Sequence, residues 1–587
     1  MLTFANPEAE AALWRSHHSV SRFVLRLYDY MVPQVVQELS TAASKIHISF
    51  DGWTTKGGKR GFFGVVAHYA TATGDVRDVA IDMPHLAGVH SGERIASCIN
   101  QVLMKFGITS TTLGYFVLDN AYTNDAAVAK LSAMYNFSAR QRRLRCAPHT
   151  LNLVGQSLIF GSNPDSYDNA FAEHNDEEHF MHEWREQGPL GVLLSIIKYI
   201  KTPQQYTLFE TFQAHANAEL PADERQKILK PVKPVATRWN SFCSAFERAA
   251  LLQHAVNAYA NHHIDATRTA DSYARTHNNK MSDAPTWMRS DGLSASDWQV
   301  ITEYIGVLRP LKEATLRLEG RGKAGRFGAI YEVIPVFEYL LNEYEARVKS
   351  YEHVDYEAAN APEDHLAINL RAAWAKLNEY YSKLDDSVVY YAAVTLHPYY
   401  KRYCERSWRD KSDWLRSLKQ NFQQLWATYK PVATSPKHRK ARLPNAIDDA
   451  IAALADDDSS DNELMDEYEL WSRLEPKWTS QQFATNGHPI RYWLSLRSKY
   501  PHLHRFAIDV LTIPASSCEC ERMFSELGDL LEPRRRKIGA QLLAALQCIR
   551  AWMKVGVKVP PRTAEKRLTD DEIDHIYSLC EWDKPLE

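Results

Sequence analysis

Apolar and polar positions change rhythm along this chain. Between residues 46 and 83, short apolar runs alternate with turn formers: IHISFD (46–51), GFFGVVAHY (61–69) and VRDVAIDM (76–83). Runs of this length, bounded by Gly-rich or polar turns, predict three successive strands, a meander. From 91 to 106 the apolar residues Ile95, Ile99, Val102, Leu103 and Phe106 fall at helical spacing. GYFVLD (114–119) is a buried strand ending in a carboxylate, 121–135 is helical again, and 142–146 is a short strand before Pro148. The predicted order is βββαβαβ. From about 190 to 505, helix-period segments take over, among them 190–200, 297–318, 330–348 and 366–384, and 514–554 reads as helix with a bend. The acidic, Pro- and Ser-containing stretch 431–463 is predicted to be a mobile loop.

At 587 residues, 45% of them hydrophobic, the chain exceeds what one hydrophobic core can hold, so several domains are expected. The start, MLTFANPEAEAALWRSHHSV, has no basic segment followed by an apolar run, and no stretch reaches the ~18 apolar residues of a membrane span. This predicts an intracellular protein with no membrane partner. Eight cysteines without a CxxC pair argue for reduced thiols rather than a disulfide scaffold.

A net charge of −3 suits nucleic acid poorly as a sum, but phosphate binding depends on local basic surface. Such clusters exist at 437–442 (KHRKAR) and 534–537 (Arg534, Arg535, Arg536, Lys537), with the acidic run 456–461 as compensation. Each reads either as a solvated face or as a phosphate-contacting or nuclear-import element.

Asp51 and Asp119 each close an apolar strand. If the two strands lie side by side, both carboxylates meet at one sheet edge, where hard oxygens can hold Mg²⁺ with positions left for phosphate. Taken singly, each is equally a turn former or helix cap. Leu542, Leu546, Ile549 and Met553 form one apolar stripe, suited to packing within the chain or against a partner subunit.

Five blocks in order now resemble the signatures of one family: SFDGWTT (49–55), LDNAYTND (118–125), RCAPHTLNL (145–153), TRWNS (237–241) and PASSCECERMFS (514–525). They resemble the hAT superfamily of DNA transposases, over roughly residues 15–555. The resemblance implies an α/β chain: an RNase H-like mixed sheet flanked by helices, interrupted by a large all-α insertion and completed by a C-terminal helical segment. The implied domains are an N-terminal helical segment (1–45), the first part of the core (46–189), the insertion (190–505), the end of the core with the dimerisation region (506–556) and a tail (557–587).

By the same resemblance the acidic triad is Asp51, Asp119 and Glu521, the third about 400 residues beyond the second, holding Mg²⁺ or Mn²⁺, two ions in all. Arg238 is implied to assist catalysis and Trp239 to stack on a flipped base. His149, in the Cys-x-x-His element with Cys146, takes a core or phosphate-contacting role. The implied activity is metal-dependent cleavage and strand transfer of double-stranded DNA, at transposon ends and target, by a nuclear homodimer or higher oligomer without a small-molecule substrate. Two positions depart from the family's pattern, Cys520 for the usual serine and Tyr122 for a small residue. No Cys or His cluster before Asp51 matches the BED-type zinc finger with which members often begin. This leaves a second expectation, a catalytically idle, host-adopted derivative acting through dimerisation and DNA or protein binding.

Overall fold

The computed structural model describes residues 17–54, 61–85, 91–161, 188–218, 220–221, 225, 227–235, 238–320, 329–351, 353, 364–430, 466–530, 538–558 and 569–576. The runs 437–442 and 456–461, the loop 431–463 and Arg534, Arg535, Arg536 and Lys537 lie outside the described residues. The chain gathers into two compact units, one of 1–148, 318–334 and 384–587, the other of 149–317 and 335–383.

The first unit holds a five-stranded sheet of order β3-β2-β1-β4-β5, where β1 is Ile46–Thr54, β2 Gly61–Ala70, β3 Val76–Asp82, β4 Leu113–Leu118 and β5 Arg143–Arg145. The first three strands pair antiparallel, while β4 runs parallel to β1 and β5 parallel to β4. The element order is the βββαβαβ that the apolar spacing predicts, but for a four-residue helix, Ala139–Arg142, inserted before β5, and the strands of Asp51 and Asp119 are neighbours.

Side chains alternate across a strand, and here the alternation separates two cores. Ile46, Ile48 and Phe50 of β1, with Phe63, Val65, Ala67 and Tyr69 of β2, face a cluster shared with helices α1 (His17–Ser40), α2 (Gly92–Lys105) and α3 (Tyr122–Tyr135). The opposite face of β2 and β3 (Phe62, Val66, Ala80) packs against Cys520, Met523, Phe524 and Leu527 of a C-terminal helix, Cys518–Leu530. The spacing of α2 explains its seat: its buried residues Ile95, Ala96, Ile99, Val102 and Leu103 share one face, the Ser91 hydroxyl caps Arg94 N, and Lys105 lies in the last turn.

The second unit is helical and includes α4 (Ala147–Phe160) and α5 (Trp239–Leu251). Gly155 of α4 lies against Trp239, so close that a Cβ there would stand 2.3 Å from the indole. The first unit continues with α6 (Ser412–Ala427), α7 (Leu503–Leu511), the Cys518–Leu530 helix, α8, and α9 (Ala540–Lys554). No helix among the described residues is long and apolar enough to cross a membrane.

Candidate active site

Asp51 sits on the face of β1 turned toward α8, opposite Gly64 in the β1–β2 register. The helix can lie there because Gly64 has no side chain: a Cβ would stand 2.0 Å from Met523 Cε and 3.0 Å from the Phe524 ring. Trp53, two residues on from Asp51, stacks on Phe524 at 6.0 Å, and Cys520 Sγ donates to Gly64 O at 3.7 Å. These contacts fix the first turn of α8, which carries Glu521, exposed. Three chain segments far apart in sequence thus bring Asp51, Asp119 and Glu521 within electrostatic reach.

The charge on Asp51 reports that proximity. Burial, then the negative charge of Asp119, with a smaller contribution from Glu521, push its carboxyl up to about 7, against a hydrogen bond from Gly52 N (2.7 Å) that favours the charged form. A half-buried carboxyl with two acidic neighbours is one that a proton or a cation stabilises.

Asp119 follows β4 directly and has different company. Its Oδ1 accepts from Ala121 N (3.1 Å) and from Asn124 Nδ2 (2.6 Å), so it shapes the turn into α3 as a turn-forming aspartate does. Arg143 of β5, its side chain 7% exposed, donates to Asp125 Oδ1 (2.9 Å), to the carbonyls of Leu118 (3.2 Å) and Leu144 (2.5 Å), and to the Asp119 carbonyl. Arg145, two residues on and on the same face, reaches Asn120 Oδ1 (3.1 Å) and Asp125 Oδ2 (3.4 Å). Arg143, Arg145, Asn124 and Asp125 were not singled out from sequence for this role. The only trace there is the i, i+2 spacing of two arginines in a predicted strand, which puts both on one face.

The donor set is three hard carboxylates, the chemistry that Mg²⁺ and Mn²⁺ prefer, and the raised Asp51 carboxyl fits a site that favours a cation. As the side chains stand, Asp51 Oδ1 and Asp119 Oδ1 turn to their own backbones. Among the described residues no group of three or more His, Cys, Asp or Glu is drawn together tightly enough to hold an ion.

The remaining residues singled out from sequence fall as follows. Arg238 is exposed and stands at the N-cap of α5, its carbonyl accepting from Ser241 Oγ at 2.6 Å. Trp239 is 1% exposed: the ring that the resemblance puts beneath a flipped base lies, in this structure, inside the helical unit against Gly155. His149, on α4, is half-buried. Cys146 Sγ accepts from Ser517 N at 3.3 Å and Ala147 N donates to Ala515 O at 2.9 Å, so the start of the Cys-x-x-His block joins the segment leading into α8. Of the α9 stripe, Leu542 and Ile549 are buried and Leu546 packs on the same core, which α9 shares with α1 and β3, while Met553 is 57% exposed.

A mixed β3-β2-β1-β4-β5 sheet with strand-end carboxylates, closed by a C-terminal helix that brings a third, defines the class as an RNase H-like core. Residues 49–143 match the family described as the ZBED1 RNase-like domain, and residues 462–553 match the hAT family C-terminal dimerisation region. Two Zea mays proteins named as an AC transposase and an AC9 transposase are each 20% identical to the chain. The alignments span 572 and 579 residues, 93% of this chain in each case and 61% and 62% of the relatives. A Talaromyces stipitatus protein named as the transcriptional regulator tpeD is also 20% identical, over 573 residues, covering 94% of this chain and 59% of that protein. The chain therefore spans about three-fifths of the length of these curated relatives. Two stretches of the chain, one at each side of the long helical region, are thus similar to hAT-type family models.

Proposed function

We propose that the chain carries the catalytic core of a hAT-type transposase, cleaving double-stranded DNA at element ends and joining it to a target, in the nucleus and as a dimer or larger assembly. What supports this reading is the convergence of Asp51 and Asp119, at the ends of neighbouring parallel strands, with Glu521 on the helix packed over Gly64, whose charges together with burial push the Asp51 carboxyl up to about 7. Asp51, Asp119 and Glu521 would hold Mg²⁺ or Mn²⁺, which when bound supplies Lewis-acid activation of phosphate and attacking oxygen. The protein's own contribution is positional. Asn124 and the Ala121 amide orient Asp119, the pairing of β1 with β2 and the Gly52 amide orient Asp51, and the packing of α8 over Gly64 sets the reach of Glu521. Holding reacting groups in place in this way is where most of the gain in phosphoryl transfer arises.

A second reading, a DNA-bound regulator that does not cut, draws on the relative named as a transcriptional regulator. One experiment separates them: Mn²⁺ titration by calorimetry, then Mg²⁺-dependent nicking of supercoiled plasmid, for wild type, Asp51→Asn, Asp119→Asn and Glu521→Gln. The transposase reading expects metal binding weakened in all three variants and nicking reduced at least about 100-fold. Nicking that survives any one substitution removes that residue from the site. A wild type that neither binds metal nor nicks favours the regulator.

A further inference from the structure

A dense run of exposed positive charge lies in a segment that carries none of the three carboxylates. Residues 401–419 contain Lys401, Arg402, Arg406, Arg409, Lys411, Arg416 and Lys419 against Glu405, Asp410 and Asp413, in a chain of net charge −3. Lys401 turns inward, donating to Ser472 O at 3.2 Å and to the Glu475 carbonyl, and the other six cations are exposed. Lys419 pairs with Glu405 and Arg416 with Asp413, each at 2.9 Å, while Arg409 has no ion pair among the described residues. Exposed pairs of this kind hold their partners weakly, so both cations can exchange to another anion.

The helix behind this surface has two distinct faces. Leu418, Phe422 and Trp426 of α6 point into the core, where Phe422 and Trp426 meet Phe506 of α7 at 5.7 Å. The outward face carries Ser412, Arg416, Lys419, Gln420, Gln423 and Gln424, spaced by three and four, and with Arg409, Leu415 and one carboxylate, Glu405, which pairs with Lys419, they line an open groove of about 690 Å³. Cations flanking three neutral amides do not make the usual solvated face of alternating Lys and Glu. Side-chain amides hydrogen-bond well to base edges, and guanidinium and ammonium groups to phosphates and guanine. A helix of 16 residues is about 24 Å long and of a width that the major groove of B-form DNA, about 12 Å, admits.

We infer that the outward face of α6, with Arg409, is a docking surface for duplex DNA, Arg409, Arg416 and Lys419 holding phosphates while Gln420, Gln423 and Gln424 meet base edges. The inference rests on the reading of the chain as a DNA-handling protein and adds a binding surface separate from the carboxylates.

The test is fluorescence anisotropy with a labelled 24-base-pair random-sequence duplex and the full chain, between 50 and 200 mM KCl. The variant R409A/R416A/K419A is expected to bind at least about 10-fold more weakly at 100 mM salt, with the slope of log K against log salt reduced by about 2 to 3, near 0.9 for each phosphate no longer neutralised. Q420A/Q423A/Q424A is expected to keep that slope and, across a panel of defined 24-base-pair duplexes, to bind all with like affinity. Melting curves like those of the wild type exclude unfolding as the cause, since the altered residues lie on the outward face. Wild-type affinity and slope in the charge variant overturn the inference. Competition by polyglutamate as effective as by DNA also overturns it, in favour of an acidic protein partner. Anisotropy is read in EDTA and nicking with Mg²⁺, so a wild type that does not nick but loses duplex affinity in R409A/R416A/K419A sinks the cleavage reading alone, and the two outcomes are read separately.

Discussion

Asp51 and Asp119 end neighbouring strands of one sheet, yet their surroundings are opposites. Asp119 stands in a cradle: Asn124 and the Ala121 amide take its oxygen, Arg143 holds its carbonyl, and Arg145 holds Asn120 beside it. Asp51 lies among Gly64, Trp53 and Cys520 beneath α8 with one amide as donor among the described residues, and its carboxyl is pushed up to about 7. The first is fixed by a built network before any ligand arrives. The second stores unfavourable charge that a proton or cation relieves. The sheet places both arginines on β5, the strand next to Asp119, where they bind the Asp119 carbonyl, Asn120 and Asp125 and so fix the turn that carries the carboxylate.

The largest expected effect comes from dismantling the cradle. Arg143→Met leaves Asp125 and three carbonyls without their buried donor and should cost about 3–5 kcal/mol in urea unfolding. Arg143→Lys, which keeps the charge without the planar fork, should fall between. A loss under about 1 kcal/mol for the Met variant would mean that Asp119 does not depend on this network, and the contrast with Asp51 would dissolve.

Next in size is the lid over Asp51. Gly64→Ala should cost about 1–3 kcal/mol through overpacking against Met523 and Phe524, and metal-dependent nicking should fall further than stability because α8 carries Glu521. Thermal melts beside nicking rates check this, and equal losses in both would separate the seat of α8 from the site.

A smaller effect tests the stored charge itself. In metal-free protein the folded carboxyl of Asp51 titrates near 7 and the unfolded one near 3.8. The folded state therefore keeps a proton that the unfolded state releases between those values, and wild-type stability falls as pH rises through that window. Asp51→Asn removes the charge and keeps an oxygen for the Gly52 amide. It should match the wild type near pH 4 and exceed it by about 1–3 kcal/mol at pH 8.5, with each pKa unit worth about 1.4 kcal/mol. Chemical denaturation across pH measures the gap, and a gap that shrinks as pH rises would contradict the assignment.

The smallest effect is at Tyr122, 83% exposed at the start of α3. Tyr122→Ala should change stability by less than about 0.5 kcal/mol, so a larger loss in unfolding experiments would extend the Asp119 cradle to a side chain now outside it.

Much of this was legible in the residues. The strand run IHISFD shows both the buried alternation of Ile46, Ile48 and Phe50 and the carboxylate at its end, and the helical spacing of Ile95, Ile99, Val102 and Leu103 gives α2 its core face. Glu521 was legible only through its block, because an isolated acid on a helix resembles any solvent-facing residue. Arg143 was not legible at all, since β5 is three residues long and its arginine's value lies in three oxygen partners from other segments, on Asp125, Leu118 and Asp119. Trp239 shows the reverse limit: a motif identifies the residue, and whether its ring meets solvent depends on Gly155, more than eighty positions earlier.

The sequence alone determined the local elements, their order and the chemical type of the groups at the strand ends, because periodicity and turn residues act over a few positions. Tertiary structure alone decided which carboxylate is cradled and which is charged against its surroundings, which apolar stripe is core, and which cations stay exposed on α6. Those properties depend on distances between residues remote in the chain and on how much water remains beside them, and neither is written in local order.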